Sequence, residues 1–418
     1  MMNRFRQTGM IGALIATGLF TGISGQACAS ELDFKPSLAV IGEINDNIYE
    51  SASGKRTDYI TRVQPGATLH YLTPFWNWDV AYTFDYRNYA RHSRDDEYNH
   101  DANLKGTMAL VDNFFYLDVS DTYRRVSLDV SRDVTTQSSL FVNQTDQNIA
   151  MVSPYLLWRP GAKSTLKTGY RYTDTRYWDS DGIDKHEHGG FADLTYELTP
   201  KLSLTLGYAF TRSETVPVNF DKHDVYGGFK YQYAEKSFVF GQIGNTWQNF
   251  RHYNSVNYLF WHAGVTHDFE VAVATLETNV QNTEDPLAVS TKETSYSGKL
   301  DKVLQRGAVG ISSSYSEYVN TQTDTRNQRK LSFSGYGRHE VVESLTASLN
   351  ATAERYYQNG LRGEYPYHFI ATGSLAYAFN HDITLTLTYS YETNRDDINS
   401  STNARDINRG IVEIRKIF

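Results

Sequence analysis

Cysteine is all but absent. The one thiol among the 418 residues, Cys28, lies behind a basic start (Arg4, Arg6) and a short apolar run over residues 10–20. Ala27-Cys28-Ala29 forms an A-x-A cleavage site, so residues 1–29 read as a secretory signal and residues 30–418 as the mature chain. Gly25 stands where a lipid-modified cysteine would want leucine three residues upstream, which speaks against a lipoprotein. A mature chain without thiols excludes disulfides, thiolate catalysis and Cys-ligated metal or haem. Also lacking is any apolar run near the ~20 residues that a membrane-spanning helix needs. Positive charge is in deficit: 40 Lys and Arg face 48 Asp and Glu, a net of −8 that becomes −10 once the two signal arginines are subtracted. With no basic block, nucleic acid is excluded as a partner. Proline is scarce at 9, whereas Tyr at 31 and Phe at 21 are plentiful, a composition that favours strands.

What is present is alternation. Leu202, Leu204, Leu206, Tyr208 and Phe210 fall on every second residue, with Ser203, Thr205, Gly207, Ala209 and Thr211 between them. Ile383, Leu385, Leu387, Tyr389 and Tyr391 repeat the pattern against Thr384, Thr386, Thr388, Ser390 and Glu392. Successive side chains of a strand point to opposite faces, so each segment has one greasy and one polar face. Segments of ~10 such residues, punctuated by turns, mark strands that cross a membrane in a closed barrel. The mean hydropathy of −0.51 fits, because only alternate residues need meet lipid.

Ordered along the chain, the first strand is expected over about residues 34–49 and the second over 57–72. Val80, Tyr82, Phe84 and Tyr86 should then face outward. Longer polar loops fall near 50–56, 91–99, 127–146, 179–185, 213–222, 251–255, 284–288, 320–327, 359–364 and 394–404. Short turns recur between them, for example at 73–77, 159–161, 199–201, 301–305 and 380–382. Ten loops and nine turns imply an all-β, antiparallel up-and-down transmembrane barrel of about twenty strands (18–22), with both termini on the periplasmic side. Closure removes the unpaired edges that lipid would not tolerate. A soluble propeller or β-helix would show blade motifs or short glycine-rich repeats, and none occurs. Trp76, Trp78 and Trp158 sit beside short turns, where an interfacial girdle belongs. Lipid of the bacterial outer membrane is therefore the expected surroundings.

Residues 43–69 carry a motif-like pattern: Asp46 and Asn47 before an aliphatic residue, a Ser/Gly loop, then Asp58, Ile60, Val63, Pro65 and Gly66. This resembles the opening hairpin of a family of β-barrel porins of the bacterial outer membrane associated with exopolysaccharide and exosortase loci. The aromatic strands and Asp/Arg-rich loops downstream are similar in architecture. The resemblance implies an outer-membrane channel or accessory pore in export or assembly of a cell-surface polysaccharide, with polysaccharide or export-complex proteins as partners and no catalytic residues. The final strand, ending on Phe418 with Ile414 and Val412 in step, resembles the signal read by the barrel-assembly machinery, although Lys416 breaks its apolar pattern. Pro65 removes a ladder donor and Gly66 admits a bulge, which points to a bend near the rim.

The inward face is expected to include Asp79, Asp85, Arg87, Lys105, Asp118, Lys167, Arg171, Lys230, Arg338, Glu354 and Glu392, with Tyr116, Tyr226 and Tyr336. Charges at membrane depth require water or ion pairing, since hydrocarbon penalises a midplane Arg or Lys by ~2–4 kcal/mol. Their mixed signs make no clean ion filter. Tyrosines along such a wall can stack on sugar rings, though packing and hydrogen bonding within a wide barrel is the simpler account of them. The acidic run over residues 179–184 lacks the twelfth-position Glu of a calcium loop, Gly190 standing there. His186 and His188 offer two imidazoles on one strand face but no third zinc ligand. No nucleophile-elbow sequence is present. The expectation is therefore no enzyme, no cofactor and no metal. Beside the export conduit stand two alternatives, a general diffusion porin for small solutes and a sleeve around a partner such as a multihaem cytochrome.

Overall fold

The computed structural model describes residues 30–132, 143–178, 181–216, 218–358, 361–379, 382–397 and 403–418. The signal segment, most of the loop after residue 132, part of the acidic run at 179–180, and portions of the loops near 359–360 and 398–402 and of the turn at 380–381 lie outside them. Twenty strands follow one another: β1 (Glu31–Asn45), β2 (Asp58–Leu72), β3 (Trp76–Tyr89), β4 (Glu97–Val111), β5 (Phe115–Ser127), β6 (Gln144–Gly161), β7 (Ser164–Tyr177), β8 (Lys185–Thr199), β9 (Leu202–Thr215) and β10 (Phe220–Ala234). The second half continues with β11 (Ser237–Phe250), β12 (Val256–Asp268), β13 (Val273–Thr283), β14 (Thr291–Leu304), β15 (Gly307–Asn320), β16 (Thr325–Val342), β17 (Leu345–Gln358), β18 (Leu361–Ala378), β19 (Ile383–Arg395) and β20 (Arg405–Ile417). Each pairs antiparallel with the next, and β1 pairs with β20 from Ser37 opposite Ile417 to Asn45 opposite Arg409. The sheet closes on itself. This is an all-β, 20-stranded up-and-down barrel.

Alternation becomes geometry in the two faces. Leu206, Ile243, Leu276, Ile311 and Leu349 are 59–63 % exposed on the outer face. Between such residues the inner face carries the polar set, with Asp85 and Arg87 each only 4 % exposed. A closed barrel with an apolar outer belt and a polar interior is the architecture that crosses the bacterial outer membrane on strands. Trp158 on the outer face meets Phe114 edge-on at 5.0 Å beside a short turn, an anchor for the belt. Glycines let aromatics lie flat on the sheet: a Cβ on Gly207 would fall 2.2 Å from the Tyr226 ring, and one on Gly106 would fall 2.6 Å from that of Trp78.

Several boundaries move. β1 starts at Glu31 and stops at Asn45, earlier at both ends than expected, because the loop after it is fastened by Asn47 instead of continuing as strand. β4 begins at Glu97, inside the expected loop, since Glu97 pairs with Arg87 in register. The loop expected at 213–222 shrinks as β9 runs to Thr215 and β10 starts at Phe220, and the turn expected at 301–305 tightens because β14 continues to Leu304. Polar residues at these rims extend the ladders past the lipid, and composition alone marks them as loop. Pro65 interrupts the β2–β3 ladder, whose pairing passes from Val63–Tyr86 directly to Gly66–Thr83.

Candidate functional site

The inner wall is assembled by register. Pairing carries one face from strand to strand, so Glu43 opposite Ile60, and Arg62 opposite Arg87, fix the inward set of β1 to β3. The same bookkeeping sets all fourteen candidate residues on the inner face. Asp79 lies opposite Lys105 and hydrogen-bonds His70 at 2.7 Å. Asp118 faces Lys167 at 3.9 Å, and the Lys167 ammonium sits 3.7 Å from the Tyr155 ring, which stacks on Tyr116 at 5.3 Å. Arg171 lies over Phe191 and Lys230 over Phe238. The Tyr226 hydroxyl bonds Asp193, and that of Tyr336 bonds Asp301 at 2.6 Å. Arg338 stands opposite Ala308.

Asp85, Arg87, Glu354 and Glu392 belong to something larger than pairs. Lys330 meets Glu354 at 2.9 Å, His368 bridges Glu354 and Glu392 at 2.9 and 3.2 Å, and Arg409 meets Glu392 at 2.6 Å. Across the β1–β20 seam Arg409 comes within 3.9 Å of Glu43, and Glu43 within 3.9 Å of Arg62. Arg62 then binds Asp85 at 2.8 Å, Arg87 binds Asp85 at 2.7 Å, and Glu97 links Arg87 at 3.9 Å to Arg94 at 2.6 Å. Basic and acidic groups alternate along this girdle from β16 round to β4. Buried charges persist when every neighbour is of opposite sign and hydrogen-bonded. Lys330, His368, Arg409, Glu43, Arg62 and Glu97 were not among the sequence candidates. Each had the right parity on its own strand, but only inter-strand register brings them to one level.

At the long-loop end, extracellular in barrels of this kind, segment 284–290 between β13 and β14 turns inward. Lys185 on β8 binds Glu284 at 2.8 Å and the Asp285 carbonyl at 3.3 Å, while the Tyr177 hydroxyl donates to Glu284 at 2.7 Å. Ile183 N–H donates to the Pro286 carbonyl at 2.8 Å. Val289 packs with Val218, Phe220 and Phe250 in a small apolar cluster. Asp285 is 4 % exposed. Burial pushes its carboxyl above the usual range, and the Leu287 N–H, the Thr291 hydroxyl and Lys185 pull it back. On another side the Arg132 guanidinium lies 4.4 Å from the Tyr356 ring of β17, tying the β5–β6 loop to the far wall. Two cavities flank Glu284, one of about 280 Å³ with Arg171, Lys185, Glu187 and Lys222, the other of about 390 Å³ with Arg124, Arg125 and Arg132.

The first-hairpin motif also has a place. Asn47 is fully buried and donates to the carbonyls of Ser51 at 2.8 Å and Asp406 at 3.0 Å, while Asp46 accepts from the Asn408 backbone and side chain, each at 2.7 Å. Asp58, also fully buried, accepts from the Arg91 N–H at 2.9 Å. These residues rivet the rim of the seam. His186 and His188 face outward and separate, His186 to Asp174 at 2.8 Å and His188 to Tyr170 at 2.6 Å. Among the described residues no group of three potential ligands could hold a metal ion.

No protein-family model matches the sequence, and comparison with curated proteins finds no match. Solved structures do match. A doubly substituted ferric enterobactin receptor, PfeA of Pseudomonas aeruginosa, superposes with a TM-score of 0.55 at 8 % identity, over 92 % of this chain and 80 % of that one. The siderophore receptor PirA of the same organism gives 0.53 at 8 % over 92 % and 80 %. The FrpB iron transporter of Neisseria meningitidis gives 0.51 at 10 % over 92 % and 82 %. At such identities the likeness is one of fold: an outer-membrane β-barrel.

Proposed function

We propose that this barrel is a conduit or accessory pore through which a cell-surface polysaccharide is exported or assembled. The reading rests on the resemblance of residues 43–69 to the exopolysaccharide-associated porins, and one structural observation carries it further. From β14 to β19 the inner wall is a field of hydroxyls, among them Ser295, Ser312, Ser334, Thr352, Thr372 and Ser390, with Ser334–Thr352 at 3.0 Å and Thr372–Ser390 at 3.1 Å. A wall of neutral donors and acceptors exchanges hydrogen bonds with a passing sugar without holding it by charge. Facing it across the lumen, Tyr116, Tyr155 and Phe191 offer rings for sugar stacking. The siderophore receptors share the barrel, and at 8 % identity their iron-chelate ligands do not transfer. A clean chromosomal deletion, scored for surface polysaccharide and for small-solute uptake, tests the proposal. Loss of polysaccharide with uptake unchanged is expected; intact polysaccharide with reduced uptake would make the protein a diffusion porin.

A further inference from the structure

Three sites of one construction stand on the outer face, apart from the lumen and from the export reading. In each, one strand gives two aromatics two residues apart and the next strand gives a histidine opposite the second. They are Tyr82, Phe84 and His100 on β3–β4, Tyr170, Tyr172 and His188 on β7–β8, and Tyr208, Phe210 and His223 on β9–β10. The tyrosine hydroxyl meets Nδ1 at 2.8, 2.6 and 2.9 Å. The imidazole leans on the second ring at 5.1, 5.0 and 5.0 Å, inclined by 53°, 45° and 48°. The three tyrosines are 42, 43 and 43 % exposed.

Their height is also the same. Tyr82, Tyr170 and Tyr208 each come six residues after the first residue of their strand, Trp76, Ser164 and Leu202. At ~3.3 Å per residue and a tilt of ~40°, the paired histidines sit about 20 Å above the short-turn end, near the outer limit of a ~25 Å apolar band. A phenol is a stronger acid than a neutral imidazole N–H, so the hydroxyl donates and Nδ1 accepts. The neutral ring then keeps its proton on Nε2, which has no hydrogen-bond partner among the described residues. Each site therefore presents a fixed N–H donor, framed by aromatics, where acyl chains give way to headgroups. Arg212 lies opposite His188 and adds a cation; the local acids are Glu214 at 3.4 Å from it, Asp221 opposite it, and Asp174, two residues beyond Tyr172 on the same face and paired with Arg176 at 3.0 Å.

We propose that the three Tyr–His pairs hold phosphate groups of lipids in the outer leaflet. Free phosphate has no reason to gather against the oil-facing side of a closed barrel, whereas a phospholipid-like headgroup is delivered there by its own chains. The Tyr233–His267 pair supplies a contrast: its rings are parallel, 8° apart, it sits at the short-turn end, and the second ring against His267 is Phe269, two residues on in the same chain, while Ala274 stands across the ladder.

The test is native mass spectrometry of the detergent-purified full chain titrated with bisphosphorylated lipid A, its dephosphorylated form and inorganic phosphate. Up to three bisphosphorylated lipids should bind. The combined variant His100→Phe, His188→Phe, His223→Phe should bind on the order of tenfold more weakly, with heat-modifiable gel mobility showing the barrel intact. If that variant does not fold, Tyr82→Phe with Tyr170→Phe and Tyr208→Phe removes the hydroxyls that orient the imidazoles and should weaken binding in the same direction. Equal binding of dephosphorylated lipid would reduce the sites to an aromatic belt and overturn the proposal. Competition by inorganic phosphate would overturn the lipid as its source, and unchanged binding by the variants would overturn it outright.

Discussion

Glu392 stands between the His368 imidazole and the Arg409 guanidinium, with its side chain 5 % exposed. Replacing it by glutamine keeps the shape and removes the anion that both neighbours need. Breaking one member of a buried charged cluster costs on the order of 3 kcal/mol, so Glu392→Gln should lower the urea midpoint of the folded barrel, and an unchanged midpoint would show that water already screens the girdle. Asp285 gives a pH prediction at the same scale. Burial in the inturned loop raises its carboxyl, so protonation favours that loop position at acid pH, and this contribution fades as pH rises through the raised value. The groups facing it are Lys185, Glu284, Thr291 and Tyr177. Single-channel recordings should therefore show longer closed dwells at about pH 4 than at about pH 7, and Asp285→Asn should flatten that dependence.

At the scale of elements, two devices matter: the seam and the inturned segment 284–290. Val40 and Ile414 are opposed on the outer face of the β1–β20 pair. In a chain otherwise free of cysteine after Ser30, Val40→Cys with Ile414→Cys should form a disulfide that shifts mobility on denaturing gels without reductant. Failure to crosslink in the folded protein would contradict the closure register. Phe418 N–H donates to the Pro36 carbonyl at 2.8 Å and its ring lies 4.9 Å from the Lys416 ammonium, so the last residue also fastens to the first strand. For segment 284–290, Glu284→Gln removes the carboxylate held by Lys185 and Tyr177. Bilayer conductance should rise several-fold relative to the parent, and no rise would mean that the narrowing lies elsewhere. Strands as such were legible as alternating runs, residues 202–210 of β9 being the plainest. The inward turn of 284–290 was not, because its acids and hydroxyls are those of an ordinary solvated loop until Lys185 comes within reach from five strands away.

For the whole molecule, the sequence by itself determined the class and brought the strand number to about twenty, and the closed ring of twenty strands then fixed it. Period-two alternation leaves a strand one way to satisfy both lipid and water, and a sheet in lipid is without unpaired edges only when it closes. Which residues of one strand share a face was local information, since parity along a strand depends on nothing beyond the strand. Tertiary structure decided which of those residues meet. Lys330, Glu354, His368, Glu392, Arg409, Glu43 and Arg62 come from seven strands at both ends of the chain, and they form one girdle only because the stagger between neighbouring strands sets them at a common height. That stagger is fixed by closing the ring, a condition on all twenty strands at once, and no single segment of sequence contains it.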